Sequence, residues 1–275
     1  MMRPDDSNTD DIAQKLAEIA REAGRILLGM ERALIEHRIK DDGSPTTAAD
    51  LAAEEQIIRR LGETWPDIPV VAEETSSTAH PADAFFLVDP LDGTKDFING
   101  TGEYSVNIAL VRGGRPVAAA VAAPALGFIW IAGEKARMSR IPEERDGAFE
   151  WRDVKVRPAP EKDLIALVSR RHGDQATEDC LSALSIGTRR MTSSALKFCL
   201  IATGEADVYV RCGATMEWDT AAGDHILTRA GGSVVGPGGI PLTYGHEDRG
   251  YLNGPFAALG DVALAPRLDL PAAAA

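Results

Sequence analysis

The sequence lacks a long apolar run: no stretch reaches the roughly 18 residues that a membrane-spanning helix needs. Residues 1–6 are acidic and contain no apolar segment, so we expect no secretory signal. Cysteine is scarce too, and Cys180, Cys199 and Cys212 form no CxxC pair. This odd number predicts free structural thiols in a reducing cytoplasm and argues against a disulfide framework or a zinc site. Peripheral association with a membrane stays open.

Basic residues are also few: the sequence has 29 Lys and Arg residues and 42 Asp and Glu residues, which gives a net charge of −13. Such a field repels a polyanion, so we expect no polymeric nucleic acid as a partner. A small anionic substrate fits only where something positive lies between it and the protein. Acidic side chains that hold divalent cations would meet that condition.

Length and composition predict one globular chain, since 44% of the 275 residues are hydrophobic. The polar segment 139–160 predicts a soft boundary between an N-terminal half, residues 1–155, and a C-terminal half, residues 156–275. The oligomeric state is left open by these features.

Hydrophobic periodicity predicts two helices followed by a strand meander in the first half. The helices run from about Ile12 to Leu27 and from about Thr47 to Gly62, and short apolar runs predict strands at 70–72, 85–88, 104–111, 116–123 and 128–131. The second half alternates, with strands at 164–169, 207–211 and 233–235 and helices at 174–184, 193–203 and 218–230. Alternation of this kind indicates a layered α/β arrangement.

The strongest chemical signal is VDPLDGTKDF, residues 88–97. A buried strand runs there into a turn with two carboxylates three residues apart, and Pro90 and Gly93 make the turn rigid. Asp89 and Asp92 can converge on one point, and oxygen ligands without sulfur or histidine suit a hard cation such as Mg²⁺. A single D-x-x-D-G pattern is more often a turn with two solvated aspartates, so further acidic residues are needed to decide.

Three other acidic residues accompany Asp89 and Asp92. Glu73 follows the predicted strand 70–72, Asp50 ends SPTTAAD, and Asp219 begins a predicted helix in WDTAAG. Strand ends and helix starts are where α/β folds gather ligands. Each position also has an ordinary structural explanation: Asp219 could be a helix N-cap, and Glu74 could be a solvated neighbour of Glu73.

Together these segments resemble the inositol monophosphatase superfamily of Mg²⁺-dependent, lithium-sensitive phosphatases. The matching pieces are DGSPTTAAD, VAEET, DPLDGTKDF and WDTAAGDHI, in the family's order over residues 40–230. LDGTKDF, SSALKFCLIATGEADVY and WDTAAG look most like the 3′(2′),5′-bisphosphate nucleotidase branch, because inositol phosphatases more often have IDGTTNF and WDVAAG there. The resemblance implies an α+β fold, a layered αβαβα sandwich, with the metal site between the two halves.

The resemblance also implies roles for the acidic residues and the turn. Roughly two or three Mg²⁺ ions would be held by Glu73, Asp89, Asp92, Asp219 and the backbone carbonyl of Leu91. Asp50, Thr94 and Glu73 would be the catalytic residues, with Thr94 and Asp50 hydrogen-bonded near the attacking water. Gly93 and Thr94 would offer backbone N–H groups to the phosphate.

Substrate contacts are implied by the same resemblance. Ser194, Lys197 and Arg211 resemble positions that contact a substrate phosphate, His172 resembles a position near the nucleotide, and Asp219 would border the substrate. Lys and Arg suit a second phosphate. The alternatives are a solvated helix residue for Lys197 and a surface-loop histidine for His172.

The implied reaction is hydrolysis of the 3′-phosphate of adenosine 3′,5′-bisphosphate to AMP and phosphate. 3′-Phosphoadenosine 5′-phosphosulfate is a related substrate that would give adenosine 5′-phosphosulfate. One alternative is an inositol or sugar-phosphate phosphatase of the same superfamily. Another is a catalytically silent metal- or phosphate-sensing protein, which would lack a ligand or Thr94, and the sequence contains all of them.

Overall fold

The computed structural model describes residues 8–30, 37–39, 45–75, 83–170, 173–193 and 195–272. The α-helices of this part are α1 (Thr9–Met30), α2 (Ala48–Thr64), α3 (Thr94–Ile98), α4 (Gln175–Ser182), α5 (Leu196–Ala202) and α6 (Ala221–Arg229). Its strands are β1 (His37–Ile39), β2 (Pro45–Thr47), β3 (Val70–Ala72), β4 (Ala84–Asp92), β5 (Ser105–Arg112), β6 (Arg115–Ala123), β7 (Phe128–Ala132), β8 (Ala136–Arg140), β9 (Arg152–Asp153), β10 (Leu164–Val168), β11 (Ile186–Met191), β12 (Val208–Arg211), β13 (Thr215–Met216), β14 (Ser233–Val235), β15 (Leu252–Asn253) and β16 (Phe256–Leu259).

Two sheets organise these strands. Seven strands form the first sheet in the order β3-β4-β5-β6-β7-β8-β9, and all pairs except the parallel β3/β4 pair are antiparallel. The second sheet has the order β11-β10-β12-β16-β14, with β10 parallel to both of its neighbours. Two short antiparallel pairs, β1/β2 and β13/β15, lie outside them.

Alternating side chains of these strands fill three apolar layers. On β4, Phe86 and Val88 pack with α1 and α2, whereas Phe85 and Leu87 pack on the other face with α5 and α6. On β12, Tyr209 faces α5 and α6, and its neighbours face α4. Because β4 is covered on both faces, its sequence is apolar without interruption from Ala84 to Val88, before the carboxylates at its end.

The layers are therefore α1/α2, the first sheet, α5/α6, the second sheet and α4. This confirms the predicted α+β sandwich with αβαβα layering. The first sheet comes from residues 70–153 and the second from 164–259, while the division at 155/156 stays a prediction. No helix of the described residues combines the length and apolar character required to cross a membrane.

Some elements differ from those predicted. The elements that were not predicted are strands β1, β2, β8, β9, β11, β13, β15 and β16 and the short helix α3. The helix expected from Trp218 begins only at Ala221, after a 3₁₀ turn over Glu217–Asp219. That turn is followed by the backbone of Thr220, with φ −119° and ψ −34°, so the α-helix starts two residues after Asp219.

Acid should destabilise this fold through His225 on α6. Its side chain is 3% exposed, Nε2 lies 3.1 Å from the carbonyl oxygen of Gly133, and burial together with the charge of Arg229 lowers its pKa to about 4. The unfolded chain binds a proton at the ordinary pKa of about 6.5, so the free energy of unfolding falls as pH drops from about 6.5 toward 4. The contribution is on the order of 3 kcal/mol.

Urea unfolding of the wild type and of His225→Gln, each at pH 7 and pH 5, measures this effect. We expect the loss of stability on acidification to be smaller in the variant, because Gln does not titrate. An equal loss in both proteins would show that His225 is not the group responsible.

Candidate active site

Three carboxylates meet where β4 ends. Asp89 and Asp92 come from the end of β4, and Asp219 comes from the 3₁₀ turn before α6, yet one oxygen of each lies within 4.8 Å of the others. Asp89 is 1% exposed, and the other two are partly exposed. The structure thus brings together residues that are 127 positions apart in the sequence (from Asp92 to Asp219).

Hydrogen bonds hold each carboxylate in place. Asp92 Oδ2 accepts from the backbone N–H of Ala195 at 2.7 Å and from Asn107 Nδ2 at 3.3 Å. Asp89 Oδ1 accepts from the N–H of Leu91 at 3.0 Å, within the same turn. Asp219 Oδ2 accepts from the N–H of Met216 at 3.1 Å. The carboxylates are therefore positioned by the backbone as well as by packing.

The electrostatics of this cluster favour a cation. Burial, and then the charges of Glu73, Asp92 and Asp219, raise the pKa of Asp89 well above its ordinary value. Burial, and then the charge of Asp92, raises the pKa of Asp219 to about 7. Three crowded carboxylates that repel one another form an all-oxygen donor set, and that set fits a metal ion whose charge would relieve the repulsion.

Glu73 lies beside this cluster and not within it. It follows β3, lines the same cavity and raises the pKa of Asp89 through its charge. Its turn is held from α2, because the N–H of Glu74 donates to Oε2 of the buried Glu54 at 2.9 Å. Glu74 is therefore more than a solvated neighbour of Glu73, because its backbone N–H fixes this turn.

The predicted pair of Thr94 and Asp50 is present. Thr94 Oγ1 lies 3.1 Å from Asp50 Oδ1 and 3.2 Å from the carbonyl oxygen of Leu91. Asp50 is fully buried, and its Oδ2 accepts from the N–H and the hydroxyl of Thr47 at 2.8 and 2.6 Å. Burial raises the pKa of Asp50, so the carboxylate can accept a proton more readily than an exposed aspartate.

Gly93 makes the turn between these groups possible. Its φ of 98° and ψ of 36° lie in the left-handed region, which a side chain disfavours. The chain passes through it directly from the end of β4 into α3, which begins at Thr94.

A cavity of about 240 Å³ is lined by Glu73, Asp92, Gly93, Thr94 and Asp219 and also by the predicted cations Lys197 and Arg211. Lys197 is 4% exposed, and burial lowers its pKa to about 8. Its Nζ lies 3.3 Å from the carbonyl oxygen of Thr192 and 4.7 Å from the ring centre of Tyr209. The alternative of a solvated helix residue is therefore wrong for Lys197. Arg211 is partly exposed and donates to the carbonyl oxygen of Ala214 at 2.9 Å.

Two predicted substrate contacts, His172 and Ser194, lie outside the described residues. The described part contains four polar residues of this region that sequence reasoning did not assign. They are Asp96, Glu103, Arg170 and Ser193, which connect the turn after β4 to the segments after β10 and before α5. Asp96 lies within the motif VDPLDGTKDF but had no role assigned to it. The sequence signal of the other three is only a charge or a hydroxyl, which does not distinguish them from solvated residues.

Known proteins share both sequence and fold with this chain. The family model described as the inositol monophosphatase family matches residues 8–264. The 3′(2′),5′-bisphosphate nucleotidase CysQ of Salmonella typhimurium is 37% identical over 236 residues, which are 84% of this chain and 93% of that protein. The nucleotidase CysQ of Escherichia coli strain K12 is 38% identical over 208 residues, 74% and 81% of the two chains.

Solved structures agree with the sequence relatives. CysQ from Bacteroides thetaiotaomicron, a bacterial member of the inositol monophosphatase family, superposes with a TM-score of 0.75 at 33% identity, and the match covers 90% of this chain and 97% of that one. The IMPase of Thermotoga maritima has the same fold, with a TM-score of 0.76 at 21% identity over 94% and 95% of the chains. Since the family model and these relatives cover most of its length, the chain belongs to the inositol monophosphatase family.

Proposed function

We propose that this chain is a Mg²⁺-dependent phosphatase that removes the 3′-phosphate of adenosine 3′,5′-bisphosphate, and that it also accepts 3′-phosphoadenosine 5′-phosphosulfate. The observation that carries this proposal is the carboxylate cluster beside the Thr94–Asp50 pair, in one cavity with Lys197 and Arg211. The nucleotidase names of the curated relatives support the choice of substrate.

Five groups would hold the metal. The family resemblance implies two or three Mg²⁺ ions in this site. They are the carboxylates of Asp89, Asp92, Asp219 and Glu73 and the carbonyl of Leu91. Bound Mg²⁺ supplies charge neutralisation for the phosphate and lowers the pKa of a water molecule. Oxygen donors alone suit Mg²⁺ better than a softer metal.

Thr94 and Asp50 would orient the attacking water. A hydroxyl has one proton to donate, and Asp50 Oδ1 lies within reach of it, so the lone pairs of Thr94 Oγ1 can accept a hydrogen bond from water. Asp50 is held by Thr47 on its other oxygen, which leaves Oδ1 directed at Thr94. The backbone N–H groups of Gly93 and Thr94 would be donors to the scissile phosphate.

A phosphate-release panel tests this function. We expect the purified chain with Mg²⁺ to hydrolyse adenosine 3′,5′-bisphosphate with a higher kcat/KM than inositol 1-phosphate, to lose activity with EDTA and to be inhibited by millimolar Li⁺. A preference for inositol 1-phosphate would assign the chain to the inositol phosphatase branch. Absence of release from every phosphate monoester would favour a sensing protein.

Lys197 and Arg211 would hold the phosphate that is not cleaved, because the carboxylate cluster with its metal can serve only one anionic group. Lys197→Met removes the charge and keeps the volume of a buried side chain. We expect the KM for adenosine 3′,5′-bisphosphate to rise roughly 10- to 150-fold, since a hydrogen bond to a charged group contributes about 1.5–3 kcal/mol. The KM for adenosine 3′-monophosphate should barely change.

Lys135→Met is the matched control, because Lys135 is exposed in the turn before β8 and does not line the cavity. Both KM values should stay at the wild-type level in this control. An equal rise of both KM values in Lys197→Met would mean that Lys197 contacts the scissile phosphate or supports the fold.

A further inference from the structure

Arg170 is a cation of the active-site wall with a defined orientation. It follows β10 and lines the cavity that also contains Lys197 and Arg211. Its Nη2 donates to Glu103 Oε1 at 2.6 Å, and the two side chains are 35% and 25% exposed. Within the described part of the chain this is the guanidinium's only hydrogen bond, so most of its five N–H donors remain for a ligand.

Glu103 is itself fixed at both oxygens. Its Oε2 accepts from the backbone N–H of Ser193 at 3.1 Å, and the Ser193 hydroxyl donates to Asp96 Oδ2 at 2.8 Å. The segment before α5 is thus tied by carboxylates to the turn that follows β4. Glu103 therefore holds Arg170 in a set position relative to the catalytic turn, although the residues are 67 positions apart in the chain.

The other two cations of the cavity, which are proposed above to hold the uncleaved phosphate, are more constrained by their own surroundings. Lys197 is almost completely buried, and Arg211 has its Nη2 directed at the carbonyl oxygen of Ala214. Arg170 is both accessible and pre-oriented by an ion pair. A guanidinium in such a position can bind a phosphate or sulfate group through two parallel N–H donors.

We propose that Arg170 is a further specificity-determining residue that, together with Lys197 and Arg211, binds the second, uncleaved anionic group of the substrate, and that Glu103 is the residue that positions it. This inference rests on the proposed function, because only a substrate with two anionic groups has one left for Arg170. Phosphate and sulfate share the geometry that Arg170 would recognise, so the bisphosphate and the phosphosulfate substrate are both tested.

Arg170→Ala should raise the KM for adenosine 3′,5′-bisphosphate about tenfold or more and change kcat by less than about twofold. The KM for adenosine 3′-monophosphate should stay unchanged. An equal effect on 3′-phosphoadenosine 5′-phosphosulfate would show that sulfate is recognised in the same way, and a smaller effect would restrict the site to phosphate. Arg59→Ala is the matched control, since Arg59 forms an ion pair with Glu63 on α2 and does not line the cavity.

Product inhibition gives a second readout that does not depend on turnover of the tested ligand. AMP keeps the uncleaved phosphate, so its inhibition constant should rise in Arg170→Ala, whereas that of inorganic phosphate should not. Glu103→Gln should raise the KM for the bisphosphate in the same direction, and Arg170→Lys should restore part of the loss. The double variant, Arg170→Ala with Glu103→Gln, should have a KM for the bisphosphate no higher than that of Arg170→Ala alone, because the two residues act as one unit.

Three results would overturn all or part of this assignment while the proposed function stands. Unchanged kinetics in Arg170→Ala would remove Arg170 from the substrate site, and an equal rise of both KM values would place it on the scissile group or in the fold. If the KM of the double variant were clearly higher than that of Arg170→Ala, Glu103 would not act by positioning Arg170. Failure of the wild type to hydrolyse the bisphosphate would instead overturn the proposed function, and the Arg170 assignment with it.

Discussion

Replacing Asp92 by Asn should reduce phosphate release from adenosine 3′,5′-bisphosphate roughly 100-fold or more at saturating Mg²⁺. The substitution keeps the shape of the side chain, and Asn can still accept the hydrogen bond that the N–H of Ala195 donates to Oδ2. It removes one negative charge from a group of three carboxylates, so the loss should come from weaker metal binding and not from unfolding. Steady-state phosphate release over a range of Mg²⁺ concentrations measures it.

Asp83→Asn is the matched control, because Asp83 is an exposed aspartate just before β4 and does not line the cavity. It should retain the wild-type rate. If Asp92→Asn kept more than about a tenth of that rate, its contribution to the barrier would be below about 1.4 kcal/mol, and a role as metal ligand would be wrong.

Thermal stability separates metal binding from chemistry. Mg²⁺ should raise the Tm of the wild type, since a ligand that binds the folded state stabilises it, and this rise should be much smaller in Asp92→Asn. In EDTA the variant should be at least as stable as the wild type, because one of the mutually repelling carboxylates has become neutral.

The local part of this site could be predicted from sequence, because its geometry is encoded within a few residues. A buried strand followed by Pro90 and Gly93 allows little freedom in the turn, so Asp89, Asp92 and Thr94 lie where the pattern indicates. Asp219 could be added because it lies next to a helix start in a recognisable segment.

The contacts between Glu103, Arg170 and Ser193 could not be predicted in this way. They join loops that are 67 to 97 positions apart, including the bond from Ser193 to Asp96, and no periodicity connects such positions. Charged loop residues are usually solvated, so their types alone gave no reason to pair them.

The strands that sequence reasoning missed have a similar cause. The segment Ile186–Met191 is polar and largely exposed because it lies at the edge of the second sheet, so it lacks the alternation that identifies a half-buried strand. Phe256–Leu259 is short and rich in alanine, and it becomes a strand because it pairs with both β12 and β14. In both cases partners distant in sequence decide the conformation.

Thr94→Val should lower kcat for the bisphosphate roughly 100- to 10,000-fold, which is the usual range for losing a group that handles the proton of the nucleophile. Valine has nearly the same shape, so the turn from β4 into α3 should be preserved. The KM and the Mg²⁺-induced rise in Tm should stay close to those of the wild type, because the hydroxyl is proposed to orient water and not to bind metal. Single-turnover phosphate release measures the chemical step directly.

Thr94→Ser supplies the test of rescue, since it restores the hydroxyl near Asp50 Oδ1, and it should recover most of kcat. Thr64→Val is the matched control, because the Thr64 hydroxyl donates to the carbonyl oxygen of Arg60 at the end of α2 and Thr64 does not line the cavity. Asp50→Asn is a less specific variant, since the carboxylate also accepts from Thr47 and caps α2. Combining Asp50→Asn with Thr94→Val should add little to the loss in kcat if the two residues act as one unit. Fully additive losses, or a Thr94→Val variant whose kcat is unchanged, would mean that the water is oriented by another group.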